Sequence, residues 1–170
     1  MQMQSQDFAK KVTKTKIKWV IWAAVLLWMV VIFCFSAQNG TQSSHLSETV
    51  QQYIVQLTGS TPQKQAANDQ FVLRKAAHFA VYFVLGGLCM AALLQTPRVT
   101  HLRQKVGVAL AICAVYAASD EFHQLFVEER EGRILDVGID TVGAFCGIML
   151  VLLGLDCWKK RQKKKEQKQG

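Results

Sequence analysis

FVLRKAAHFAVYFVLGGLCMAALLQ, residues 71–95, is apolar enough to cross a bilayer, yet it carries Arg74, His78 and Tyr82 in its first half. A spanning helix needs about 20 predominantly apolar residues. Arg74, His78 and Tyr82 stand at i, i+4 and i+8 and so share one helical face. At about 1.5 Å of rise per residue, His78 lies about 6 Å deeper than Arg74. An ionisable group in hydrocarbon costs roughly several kcal/mol unless it is paired or hydrated. Such a stripe is therefore expected to face other helices.

Three further segments have the same character. Residues 17–35 (IKWVIWAAVLLWMVVIFCF) are apolar apart from Lys18, and 106–127 and 134–157 complete the set. The expected fold is all-α, an integral membrane bundle of four transmembrane helices. The membrane domain covers 17–157, between basic tails at 1–16 and 158–170, with no internal repeat and no second domain. A cleaved signal peptide competes for the first segment, but its apolar run exceeds the 7–15 residues or so of a signal core. Residues 36–70 are polar. Within them Val50, Ile54 and Leu57, with Tyr53 beside them, recur at helical spacing, and Thr58 to Pro62 stop the pattern. This reads as an amphipathic segment lying on the interface in the first outer loop.

The chain has 170 residues, a net charge of +8, 51% hydrophobic residues and a mean hydropathy of +0.14. The basic residues are not interleaved with aromatics on a soluble surface, which argues against nucleic-acid binding. Counting Lys18 at the start of the first span, fifteen of the twenty Lys and Arg fall in or beside the two tails and in the loop 96–105, which holds Arg98, Arg103 and Lys105. Positive charge concentrates on the cytoplasmic side, so both termini are expected inside, in a multi-pass cell-membrane protein. Trp19 and Trp158 then sit at the inner interface. The tail lysines read first as topology anchors, and attraction to anionic lipids is compatible with that role. The five cysteines, Cys34, Cys89, Cys113, Cys146 and Cys157, lack CxxC spacing and read as small packing residues. His45 and His101 lie in polar loops and read as solvated.

With that topology, four polar clusters reach the outer leaflet: Ser36 and Gln38, Arg74 and His78, Asp120 to Gln124, and Arg130 through Asp136 to Asp140. The short segment 128–133 (EEREGR) makes the third and fourth spans neighbours, and Gly143-x-x-x-Gly147 permits close helix contact. The candidate ligand-binding residues are Ser36, Gln38, Arg74, His78, Tyr82, Asp120, Glu121, Gln124, Arg130, Asp136 and Asp140. Arg74 and Arg130 suit a phosphate or carboxylate. His78, Asp120, Glu121 and His123 are the candidate acids and bases. Asp120, Glu121, Asp136 and Asp140 are oxygen donors of the kind that hold a divalent cation, although no firm metal motif is present and no cofactor is indicated. The HExxH, GxSxG and P-loop patterns are absent. The plainer alternative is a packing network in which Arg74 pairs with Asp136 or Asp140 and His123 with Glu121. Buried ion pairs stabilise poorly relative to apolar packing, which weighs against it.

At these residues the chain resembles the VanZ-like family. The matching stretches are Ser36-Ala37-Gln38, Arg74-Lys75-Ala76-Ala77-His78 with Tyr82, Ser119-Asp120-Glu121-Phe122-His123-Gln124, and Arg130 followed by Asp136, Asp140 and Gly143. The resemblance covers roughly residues 20–155. Glu128-Glu129 stands where many members have Pro-Gly before the arginine, which bears on the shape of that turn. The family takes its name from a glycopeptide-resistance protein that lowers sensitivity to teicoplanin. The resemblance implies a polytopic bacterial envelope protein acting on cell-wall precursors or on how an antibiotic meets them, and it supplies no reaction.

Three functions follow as expectations. The first is an outer-leaflet site that binds a membrane-lipid headgroup, a lipid-linked wall precursor or a glycopeptide. The second is an integral-membrane enzyme that modifies a lipid phosphate or glycan at that surface. The third is a structural or small transport subunit. The last is weakened by the apolar inner stretches Val108 to Val115 and Ile148 to Leu155, unless a homo-oligomer creates a path.

Overall fold

The structure, a computed structural model, describes residues 2–37, 66–127 and 133–167, with side chains from Thr15, Val72 and Arg133 onward in the three segments. Gln38, the amphipathic pattern at Val50 to Leu57, and Arg130 lie outside the described residues. The described residues form four helices and no strand: α1 (Gln2–Ser36), α2 (Ala66–Leu94), α3 (Leu102–Gln124) and α4 (Ile134–Glu166). Each contains a stretch long and apolar enough to cross a membrane.

The outer two helices outrun their apolar segments. α1 has 35 residues and α4 has 33, or about 50 Å each at 1.5 Å per residue. That exceeds a hydrocarbon core of about 30 Å. The basic stretches read as tails at 1–16 and 158–170 are therefore largely helical continuations of the spans. Lysine and arginine are good helix formers, so charge ends the apolar segment without ending the helix. α2 closes with a tightened last turn, Thr96 N–H donating to Leu93 O at 3.1 Å, and Pro97 cannot extend it. α3 opens at Leu102, four residues before the apolar run at 106, so Arg103 and Lys105 belong to its first turn.

Contacts between helices define their directions. Between α2 and α4, the pairs Lys75–Asp136, His78–Asp140, Phe79–Gly143 and Phe83–Gly147 advance together along both chains, so these helices are parallel. Between α1 and α3, Met29–Tyr116, Phe33–His123 and Ser36–Gln124 do the same. Helices adjacent in sequence are antiparallel. The ends of α1 and α3 therefore meet the starts of α2 and α4 at one end of the bundle, and both chain ends lie at the other.

The α2–α4 interface is the most extensive, because glycine lets backbones touch. A Cβ on Gly147 would lie 1.9 Å from Phe83 O, and one on Gly86 would lie 2.2 Å from Ala144 O. Around this seam Leu85, Cys89, Met90, Cys113 and Ile148 are buried. Leu26, Leu27, Val30, Val115 and Leu150 point outward, as lipid-facing residues do.

Candidate functional site

Where α1 and α3 end and α2 and α4 begin, six polar side chains are buried: Ser36, Asp120, Glu121, Gln124, Asp136 and Asp140. Half-buried Arg74, Lys75 and His78 join them from α2. The spacing that gathers them is simple. Asp136 and Asp140 are four residues apart on α4, and Lys75 and His78 are three apart on α2, so each pair lies on one face. Two parallel helices then meet in rungs. Lys75 Nζ forms an ion pair with Asp136 Oδ1. One turn deeper, His78 Nδ1 lies 3.4 Å from Asp140. Asp136 is in the first turn of α4, where the free N–H groups of a helix favour negative charge.

α3 closes the group from the side. The Arg133 backbone N–H donates to Glu121 Oε2 at 2.8 Å, tying the start of α4 to the end of α3. Gln124 Nε2 donates to Ser36 Oγ at 3.1 Å and so reaches α1. His78, Glu121 and Asp140, one from each of three helices, present ligand atoms within 4.8 Å of one another. Beneath them Tyr82 and Tyr116 bring their rings to 6.3 Å, and the Tyr116 hydroxyl donates to Met29 O at 2.6 Å. Trp28 Nε1 donates to Val81 O at 2.9 Å. These aromatic residues floor the polar end and separate it from the apolar interior.

Several buried atoms at this end have no hydrogen-bond partner among the described residues: Arg74 Nε, Tyr82 OH, Glu121 Oε1 and Gln124 Oε1. A buried polar atom without a partner costs about 1–3 kcal/mol. Three of them lie where the helix ends converge, and the Tyr82 hydroxyl lies deeper on α2.

The sequence-derived site residues fall into three groups. Ser36, His78, Glu121, Gln124, Asp136 and Asp140 are joined by direct contacts across helices. Arg74 and Asp120 stand on the same faces one turn away, at i−4 from His78 and Gln124 respectively, and Tyr82 lies one turn deeper than His78. His123 instead stacks on Phe33, with ring centroids 4.7 Å apart, and is not among the three converging ligands. The ion pairing also differs from the packing network drawn from sequence. Lys75 rather than Arg74 meets Asp136, and Glu121 takes a backbone N–H rather than His123. Sequence reasoning passed over Lys75 and the Arg133 backbone as site components. Lys75 was visible in principle, since it sits three residues before His78 and so near the same face.

Searches of the curated proteins and of the solved structures find no match to this chain. A family model for VanZ/LLP1 proteins matches residues 21–155, a stretch that takes in most of the apolar part of all four helices and every described residue of the polar end. The chain is a multi-pass membrane protein and belongs to the VanZ/LLP1 family.

Proposed function

We propose that the polar end of the bundle faces the outer leaflet and binds the anionic headgroup of a cell-envelope amphiphile, a membrane lipid or a lipid-linked wall precursor. An acyl-bearing glycopeptide of the teicoplanin type offers the same combination of polar head and apolar tail. In this reading both termini are cytoplasmic, because the chain ends and the basic loop share the opposite end and hold most of the Lys and Arg. The observation that carries the proposal is the set of unsatisfied buried atoms on Arg74, Glu121 and Gln124 at this end of the bundle, with that of Tyr82 below them. Arg74 supports an anionic ligand: its guanidinium is always charged, it forks onto phosphate, and its Nε is buried without a partner among the described residues. Phe122, Phe126, Ile134 and Leu135 rim the same end and are exposed, so the acyl chain of a bound amphiphile meets an apolar wall beside its headgroup site.

The test uses full-length protein in nanodiscs and a fluorescent lipid-linked wall precursor. Saturable binding is expected, weakened about 10-fold or more in Arg74→Ala, which removes a charge-assisted contact of about 1.5–3 kcal/mol. Equal binding by wild type and Arg74→Ala, at equal helix content, overturns the proposal. Release of a modified headgroup would favour the second reading, an enzyme, for which the grouping of His78, Glu121 and Asp140 supplies an acid–base set. Retention of the intact precursor favours the binder.

A further inference from the structure

We propose that His78, Glu121 and Asp140 form a binding site for one divalent transition cation, Zn²⁺ or Mn²⁺. The site shares the pocket of the proposed function and deepens that reading by supplying a fixed positive centre for an anionic headgroup. Three observations meet there. The ligand atoms come from α2, α3 and α4 and lie within 4.8 Å of one another. Asp140 is 0% and Glu121 5% exposed, and Asp140 Oδ1 and Glu121 Oε1 accept no hydrogen bond among the described residues. His78 Nδ1 stands 3.4 Å from both Asp140 oxygens.

That spacing suits a shared ion as well as it suits a direct bond. A good N–H···O bond has its heavy atoms about 2.7–3.2 Å apart, so 3.4 Å is long for a dedicated His–Asp hydrogen bond. Two ligands on one tetrahedral Zn²⁺, each about 2.0–2.1 Å from the ion, sit about 3.3–3.4 Å apart. Closing the widest separation in the trio from 4.8 Å to that value is a movement of side-chain scale. The donor set is one imidazole nitrogen and two carboxylates. Imidazole suits Zn²⁺ and carboxylates suit Mn²⁺, whereas Ca²⁺ takes about six to eight oxygens. Three protein ligands leave a coordination position for a water or a phosphate oxygen. Glu121 Oε2 is already held by the Arg133 N–H, which is how outer partners orient a ligating carboxylate. Asp136 is excluded from the shell because Lys75 neutralises it. Of the four acids that suggested a cation from sequence, Glu121 and Asp140 therefore belong to the trio, while Asp120 and Asp136 stand outside it.

The experiment uses tag-free full-length protein in detergent, stripped with EDTA and titrated with Zn²⁺ or Mn²⁺ alone, with bound metal counted after desalting. Wild type is expected to take up about one ion per chain. Removing an outer-shell partner costs about 10–100-fold in affinity, so Asp140→Asn and Glu121→Gln, which remove direct ligands, are expected to weaken uptake about 100-fold or more. Asp156→Asn, an exposed acid near the other end of α4, is expected to keep it. Glu121→Gln preserves an amide oxygen for the Arg133 N–H, so it decides the matter if Asp140→Asn does not fold. No stoichiometric uptake by folded wild type, or undiminished uptake by Glu121→Gln, overturns the site. The two proposals separate cleanly. Headgroup binding that survives EDTA and Glu121→Gln removes the metal and keeps the binding function, and metal uptake without headgroup binding does the reverse.

Discussion

The two ends of the bundle are held by different chemistry. At the end near the chain termini the polar cross-helix contacts are slight: Trp22 Nε1 reaches Thr96 Oγ1 at 3.4 Å, and Lys105 Nζ donates to Leu94 O at 3.2 Å. Leu93, Ala92 and Ala109 pack there without a buried charged residue among the described residues. At the other end Lys75–Asp136, His78–Asp140, Arg133–Glu121 and Gln124–Ser36 tie the four helices together through buried polar atoms. The first end shows that this chain closes a helical interface mainly with apolar side chains and without a cross-helix ion pair among the described residues. Replacing a buried ion pair by apolar residues of the same volume is often neutral or stabilising. The charges at the second end are therefore poorly explained by stability, and they fit a place where something polar is held.

The sharpest way to break that contrast is at Lys75. Lys75→Met leaves Asp136 buried beside an apolar side chain, and breaking a buried pair costs about 3–5 kcal/mol. The double variant Lys75→Met/Asp136→Leu removes both charges and is expected to recover most of that loss while losing headgroup binding. Reversible unfolding in micelles, read together with the nanodisc assay, checks both halves. A double variant as unstable as the single would mean that the ion pair itself holds the bundle, and the contrast between the ends would collapse.

The four helices were legible because each apolar run is long enough to span a bilayer, and the polar end was legible because charge stands out in apolar sequence. What stayed hidden was register between helices. Spacing along α2 puts Arg74, Lys75 and His78 near one face, but only the α2–α4 offset decides that Lys75 meets Asp136. That offset is set by the glycine seam. Gly143 and Gly147 suggested close contact, while the part of Gly86 was not apparent, because its partner Ala144 lies on a helix about 60 residues away in sequence. The extent of α1 and α4 was also hidden, since lysine marks the membrane boundary while remaining a good helix former. Gly147→Ala tests whether the seam fixes the rungs. Its Cβ would sit 1.9 Å from Phe83 O, so the helices must separate. The expected loss is about 3 kcal/mol, at the upper end for overpacking, with metal uptake falling alongside it because His78 and Asp140 lie on the same two helices. Unchanged metal affinity in a destabilised Gly147→Ala would uncouple the seam from the site.

The smallest effect compares one polar contact from each end. Ser36→Ala removes the acceptor of a 3.1 Å bond from a fully buried Gln124 amide, whose Oε1 already has no partner among the described residues. Thr96→Val removes the acceptor of a 3.4 Å contact from Trp22, whose indole is only partly buried. Hydrogen bonds between membrane helices average about 0.6 kcal/mol and reach about 1.7. Ser36→Ala is expected near the top of that range, because the stranded amide cannot reach water, and Thr96→Val below about 0.5 kcal/mol, since a contact beyond about 3.2 Å is weak and its donor is only partly buried. Unfolding midpoints of the two variants in one micelle system measure the difference directly. Equal losses would mean that the two ends are equally dry and equally polar in their energetics, and the unpartnered atoms at the site end would then be ordinary packing of membrane helices. A clear excess for Ser36→Ala places the cost of unsatisfied polarity at the end where a ligand would relieve it.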